Sequence, residues 1–257
     1  MMWFPLAGAL LAGCRRRERD PLSVVIGSSP TGVPFSFVDP WSNELTGSMV
    51  DAATAVARDA GFRPETAITP FSALIPSLLA NKIDVIAAAM LRTPERERVV
   101  SFSNPIYHYA GALVVSKDNR RSFATLSEIG SLRVGAQVGS RFIDQLHAAG
   151  ARNVATYESL VDILRDLENG RIAVAYGDEP ILRYQLRVGT KRNVRIIEGF
   201  RPPALEELCL VMRKRDPRLD RVNAAIERLS AAAIPAIVKK PSWGGLSIKT
   251  RSKLSST

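Results

Sequence analysis

Thr93-Pro94-Glu95-Arg96 sets a good N-cap residue and a proline suited to the first helical position just ahead of a guanidinium. In that pattern Arg96 stands beside free helix N–H groups, and fork plus dipole suit a carboxylate. The plainer reading is a solvated charged turn, because Pro94-Glu95-Arg96-Glu97-Arg98 alternates in sign. Asp178 closes an apolar run, in Gly177-Asp178-Glu179-Pro180, where a carboxylate can accept from an ammonium. It also suits the N-cap of a helix running toward Val188. Ser140 follows Gly135-Ala136-Gln137-Val138-Gly139 at a strand-to-helix turn whose amides can hold a carboxylate, or it is a simple N-cap. Phe71 can cover an apolar part of a ligand or pack into the core.

The equipment for other chemistries is missing. There is no GxxxxGK[ST] or GxGxxG segment and no GxSxG elbow. Two histidines, His108 and His147, and no Cys/His cluster argue against zinc. No cofactor or metal is expected, and the chain reads as a binder rather than an enzyme.

These residues need elements to position them. Leu22–Ile26 reads as a strand, and Met49, Val50, Ala52, Ala53, Val56, Ala57 and Ala60 share a helical face before Gly61. Phe71–Ala80 reads as a helix and Ile83–Ala88 as a buried strand. Farther on, strand Arg133–Gln137, helix Ser140–Ala149, a helix around Leu160 to Leu167 and strand Ile172–Tyr176 follow in turn. Such alternation predicts mostly parallel sheets in an α/β fold. The stretch Leu78–Ala87 echoes Leu167–Tyr176, as two similar lobes would. Ligands of open α/β sheets bind beyond the carboxyl ends of the strands, where the Arg96 and Asp178 segments fall.

The 257 residues suffice for one large domain or two smaller ones. The formal charge of +10 is spread among acids, with no basic run interleaved with aromatics, so nucleic acid is not an expected partner. Met1 to Gly13 is an apolar run ending in Leu11-Ala12-Gly13-Cys14, which looks like a lipobox with Cys14 as the lipidated residue. No Lys or Arg precedes it, so the true start is expected upstream of Met1. Cys209, the other cysteine, lies in Leu208–Met212 and reads as a small buried hydrophobe.

Several motifs together resemble family 3 of the bacterial extracellular solute-binding proteins, which serve polar-amino-acid ABC importers. They are Pro34-Phe35-Ser36-Phe37 with Leu45–Asp51, Phe71–Leu79 with Lys82–Ile86, Thr93–Arg96 running to Ser101–Tyr107, Val134–Ser140, and Gly177–Pro180. The resemblance implies a periplasmic-binding-protein type II fold, two α/β lobes joined by a two-strand hinge. Its parts would be a signal peptide at 1–13, a tether at 14–20, lobe one at 21–112 plus 201–243, lobe two at 113–200, and a basic tail at 244–257.

The same resemblance gives Arg96 and Ser140 the ligand carboxylate and Asp178 its ammonium, with Phe71, Leu91 and Arg141 completing the ligand set. Gly32 replaces an aromatic wall of the cage, and Leu91 a hydroxyl residue, leaving room for a modified or more apolar ligand. The implied partners are an amino-acid-like zwitterion, an ABC permease with a separate ATPase, and the membrane through a lipid anchor. The implied state is a periplasmic monomer. The alternatives are a prephenate or arogenate dehydratase, with Glu179 as acid, and a ligand-sensing partner of a receptor.

Overall fold

Buried strands separated by amphipathic helices form two five-stranded sheets, and the chain crosses between them twice. The computed structural model describes residues 20–187 and 191–230; the expected signal segment, Cys14 and the basic tail lie outside them.

The first part runs β1 (Ser23–Ser28), a small antiparallel ribbon of β2 (Thr31–Gly32), β3 (Ser36–Val38) and β4 (Leu45–Thr46), then α1 (Ser48–Asp59) and β5 (Arg63–Ile68). A 3₁₀ turn at Phe71–Ala73 leads into α2 (Leu74–Leu79), β6 (Val85–Ile86), α3 (Pro94–Val99) and β7 (Val100–Tyr109). Only Ala110 then separates β7 from β8 (Gly111–Ser116), which belongs to the other sheet. The second part continues with β9 (Val134–Gln137), α4 (Arg141–Ala148), β10 (Val154–Tyr157), α5 (Leu160–Glu168), β11 (Val174–Asp178), α6 (Glu179–Arg187) and β12 (Val194–Ile196). The chain returns to the first sheet as β13 (Glu206–Arg213), followed by α7 (Leu219–Ser230).

The strand orders are β5-β1-β6-β13-β7 and β10-β9-β11-β8-β12. The sequence echo therefore has a structural counterpart, since β6 and β11 are the central strands of their sheets. The turn before each holds one left-handed residue, Asn81 at φ 57° and Gly170 at φ 70°. Burial explains the strands: β9 and β11 are buried at every residue, as strands enclosed on both faces must be. In α1 the stripe from Met49 to Ala57 is buried, and Gly61 at φ 78° ends the helix as its type allows.

Several features differ from the sequence expectation. Each five-stranded sheet is mixed, with two parallel and two antiparallel pairings, rather than mostly parallel. The strand expected over Ile172–Tyr176 runs Val174–Asp178, and Phe71–Ala73 is 3₁₀ rather than α. The strand expected over Ile83–Ala88 narrows to Val85–Ile86. Its flanks still bond to β1, with Asp84 N–H donating to Val25 O at 2.7 Å and Ala87 N–H to Gly27 O at 2.9 Å.

Gly47 joins the ribbon to α1 with φ 130°, and a Cβ there would fall on the Phe35 carbonyl and 2.8 Å from Ser36 Cα. Backbone cannot yield as a side-chain tip can. Gly47→Ala should therefore lower unfolding free energy by about 2 kcal/mol or more in a denaturant titration, and an unchanged midpoint would contradict this packing.

Candidate functional site

Arg96 is carried on α3 as the sequence requires. Thr93 caps the helix, its Oγ1 accepting from Arg96 N–H at 3.2 Å, and Pro94 occupies the first turn. The guanidinium donates to two backbone carbonyls. One is Leu91 O, on its own side; the other is Gly139 O at 2.5 Å, which precedes α4 in the opposite lobe. Arg96 thus spans the interface between lobes. Burial lowers its pKa, with Asp144 and Tyr109 pulling the other way.

Ser140 holds the N-cap position of α4, yet its side chain makes no capping bond. Its hydroxyl is buried without a hydrogen-bond partner among the described residues. The simple-cap reading of Ser140 does not hold here. A buried hydroxyl without a partner is costly, and this one belongs to the residue from which α4 starts.

Asp178 ends β11, only 4% exposed, opposite Gly111 at the first crossing between lobes. Its carboxylate accepts from the Tyr109 hydroxyl, the last residue of β7. Among the described ion pairs, no cation pairs with Asp178 and no carboxylate pairs with Arg96. Desolvation pushes Asp178 up to about 7, and Glu206 adds to the rise against the Tyr109 hydrogen bond. Tyr109 is raised well above its usual value by burial and by Asp178.

The remaining expected residues are placed as follows. Leu91 buries its side chain and bridges to Leu208, while its carbonyl serves Arg96. Phe71 packs with Leu74, Leu78 and Met90, and a Cβ on Gly139 would sit 3.9 Å from Ser72 Cα beside it. Arg141, expected among the ligand contacts, turns its guanidinium to Glu206 Oε2 at 2.9 Å and Arg92 O at 2.7 Å. Beside Gly32, where an aromatic wall is missing, a Cβ would come within 3.8 Å of Ile181 Cδ1 from α6. Tyr109 and Glu206 were not anticipated. The sequence carries one signal for Glu206, an acid just ahead of the apolar run Leu208–Met212.

Residues 24–241 match the bacterial extracellular solute-binding proteins, family 3. The chain belongs to that family. It is 30% identical over 191 residues to the ABC transporter arginine-binding protein 1 of Escherichia coli, covering 72% of this chain and 75% of that one. It also resembles an ancestral arginine-binding protein solved with arginine, at 27% identity and TM-score 0.77, covering 87% of this chain and 99% of that one. An ancestral arginine-binding protein bound to glutamine gives 28% identity and TM-score 0.78, covering 88% and 100%. The two-lobed fold of this chain is the fold of that family.

As a family-3 protein, the chain keeps a desolvated carboxylate at its lobe junction, and this has a measurable consequence. The folded Asp178 carboxyl holds its proton more tightly than an unfolded aspartate at 3.8. Folding stability is therefore eroded as pH rises from that value, and the loss is complete above about 7. Asp178→Asn should stabilise the ligand-free protein by ~2–4 kcal/mol at pH 8 and by almost nothing near pH 3.5. A variant less stable than wild type at pH 8 would contradict the burial cost.

Proposed function

We propose that this protein captures an α-amino acid with an uncharged side chain and hands it to the membrane permease of an ABC importer driven by a separate ATPase. The observation that carries the reading is a triad of unsatisfied groups at one lobe junction. Among the described residues, Arg96 spends a half-buried guanidinium on neutral carbonyls, Ser140 has an unpartnered hydroxyl, and Asp178 has a buried carboxylate without a cation. An α-carboxylate placed on Arg96, Ser140 and the α4 amides, with an α-ammonium on Asp178, answers all three. The arginine- and glutamine-bound relatives share that α-amino-acid moiety and differ in side chain.

Charge argues for an uncharged side chain here. Of the charges beside the site, Arg141 and Glu206 neutralise each other, and Asp144 acts on Arg96. Phe71, Leu91 and Ile181 are apolar, and Ser29 and Thr31 beyond β1 bond to one another at 2.9 Å. A ligand guanidinium would find no partner among these groups. We place the protein outside the cytoplasmic membrane, tethered through a lipid on Cys14, and read it as a monomer that binds without turnover.

Capture is a population shift, since a ligand touching both lobes favours the closed state. Two charge-assisted contacts at about 1.5–3 kcal/mol each bias that equilibrium by about 3–6 kcal/mol. Calorimetry of purified protein against single L-amino acids should find the tightest binding among uncharged ones. Arg96→Ala should weaken that binding roughly hundredfold or more. Tightest binding of arginine or lysine would overturn the side-chain assignment, and silence toward every α-amino acid would overturn the reading as a whole.

A further inference from the structure

The most thoroughly engaged buried charge at the lobe junction belongs to a residue outside the ligand set. Glu206 opens β13 where the chain re-enters the first sheet, directly opposite Tyr109 in the β7–β13 ladder. Its side chain is 3% exposed. A carboxylate this buried costs several kcal/mol unless donors surround it. Both donors come from α4, in the other lobe. Arg141 Nη1 donates to Oε2 at 2.9 Å and Gln145 Nε2 to Oε1 at 2.6 Å. Four residues apart, they present one helix face to one carboxylate.

Each donor is itself held. Tyr176 Oη donates to Gln145 Oε1 at 2.6 Å, which leaves the amide N–H group for Glu206. Arg141 Nη1 also donates to Arg92 O at 2.7 Å, one residue before the Thr93 cap of the Arg96 helix. One guanidinium therefore ties the hinge strand, the start of α4 and the segment leading to α3.

We propose that Glu206 is the positioning residue of this protein: by gripping Arg141 and Gln145 it aims the α4 N-terminus at Arg96 and latches the lobes together without touching ligand. Its effect on affinity rests on the amino-acid reading above, whereas the latch concerns the protein alone. Apparent affinity scales with the fraction of binding-competent molecules, so a latch tightens binding from a distance.

The test combines solution scattering of the ligand-free full-length chain with affinity for the best amino acid. Glu206→Gln puts an amide before Arg141 and should enlarge the radius of gyration of the ligand-free protein and weaken binding roughly tenfold or more. Arg141→Met should do the same, and the double variant should lose no more than either single one, because the partner left unpaired is gone. If Glu206→Gln does not fold, Gln145→Leu removes one of the two bonds and should give a smaller change in the same direction. Strictly additive losses, or unchanged scattering in folded variants, would overturn the latch. If wild type binds no amino acid, the ligand reading fails and scattering alone decides the latch.

Discussion

A carboxylate held out of water without a cation is the constraint around which this molecule is arranged. Asp178 has a tyrosine hydroxyl for company, and burial holds its pKa near neutrality. Such a group is a standing cost to the fold, on the order of a few kcal/mol when ionised. Across the same junction, Arg96 makes do with neutral carbonyl acceptors. Charges kept apart in this way raise the free energy of the protein alone. They also raise what it gains from a partner carrying both opposite charges at the right spacing.

The fold supplies the geometry cheaply. Two similar sheets put their central strands, β6 and β11, on opposite sides of one junction, so the segment after β6 carries Arg96 and the end of β11 carries Asp178. The two crossing strands finish the arrangement. At the junction, the last residue of β7 and the first of β13 each reach into the second lobe, Tyr109 to Asp178 and Glu206 to Arg141 and Gln145. The pair Tyr109 and Glu206 sits opposite in one antiparallel ladder, where side chains share a face. Binding chemistry and lobe geometry are thus set within one rung.

What could be read from the sequence follows from range. Thr93-Pro94 announces its helix locally, and the Thr93 hydroxyl does bond the Arg96 amide. The α1 stripe and Gly61 are equally local, and so is the fold class, since strand–helix alternation repeats through both lobes. Ser140 was visible as a helix start, but nothing local tells that its hydroxyl stays unbonded. Glu206 and Arg141 were illegible as a pair because register between β7 and β13 and the approach of α4 bring them together. Arg141 beside Ser140 looks like a ligand contact until that long-range partner is known. Ile83–Ala88 reads as one long strand because apolar content cannot reveal where ladder bonding stops.

The central claim is that a ligand ammonium replaces the proton on Asp178. It is tested most directly by titrating the tightest-binding amino acid into the protein at pH 7 in buffers of different ionisation enthalpy. With Asp178 near 7 before binding and well below it afterwards, about half a proton should leave per ligand bound. The release should vanish in Asp178→Asn and shrink toward zero by about pH 8. Binding without proton release at pH 7, or with uptake, would mean that the ligand does not complete this carboxylate.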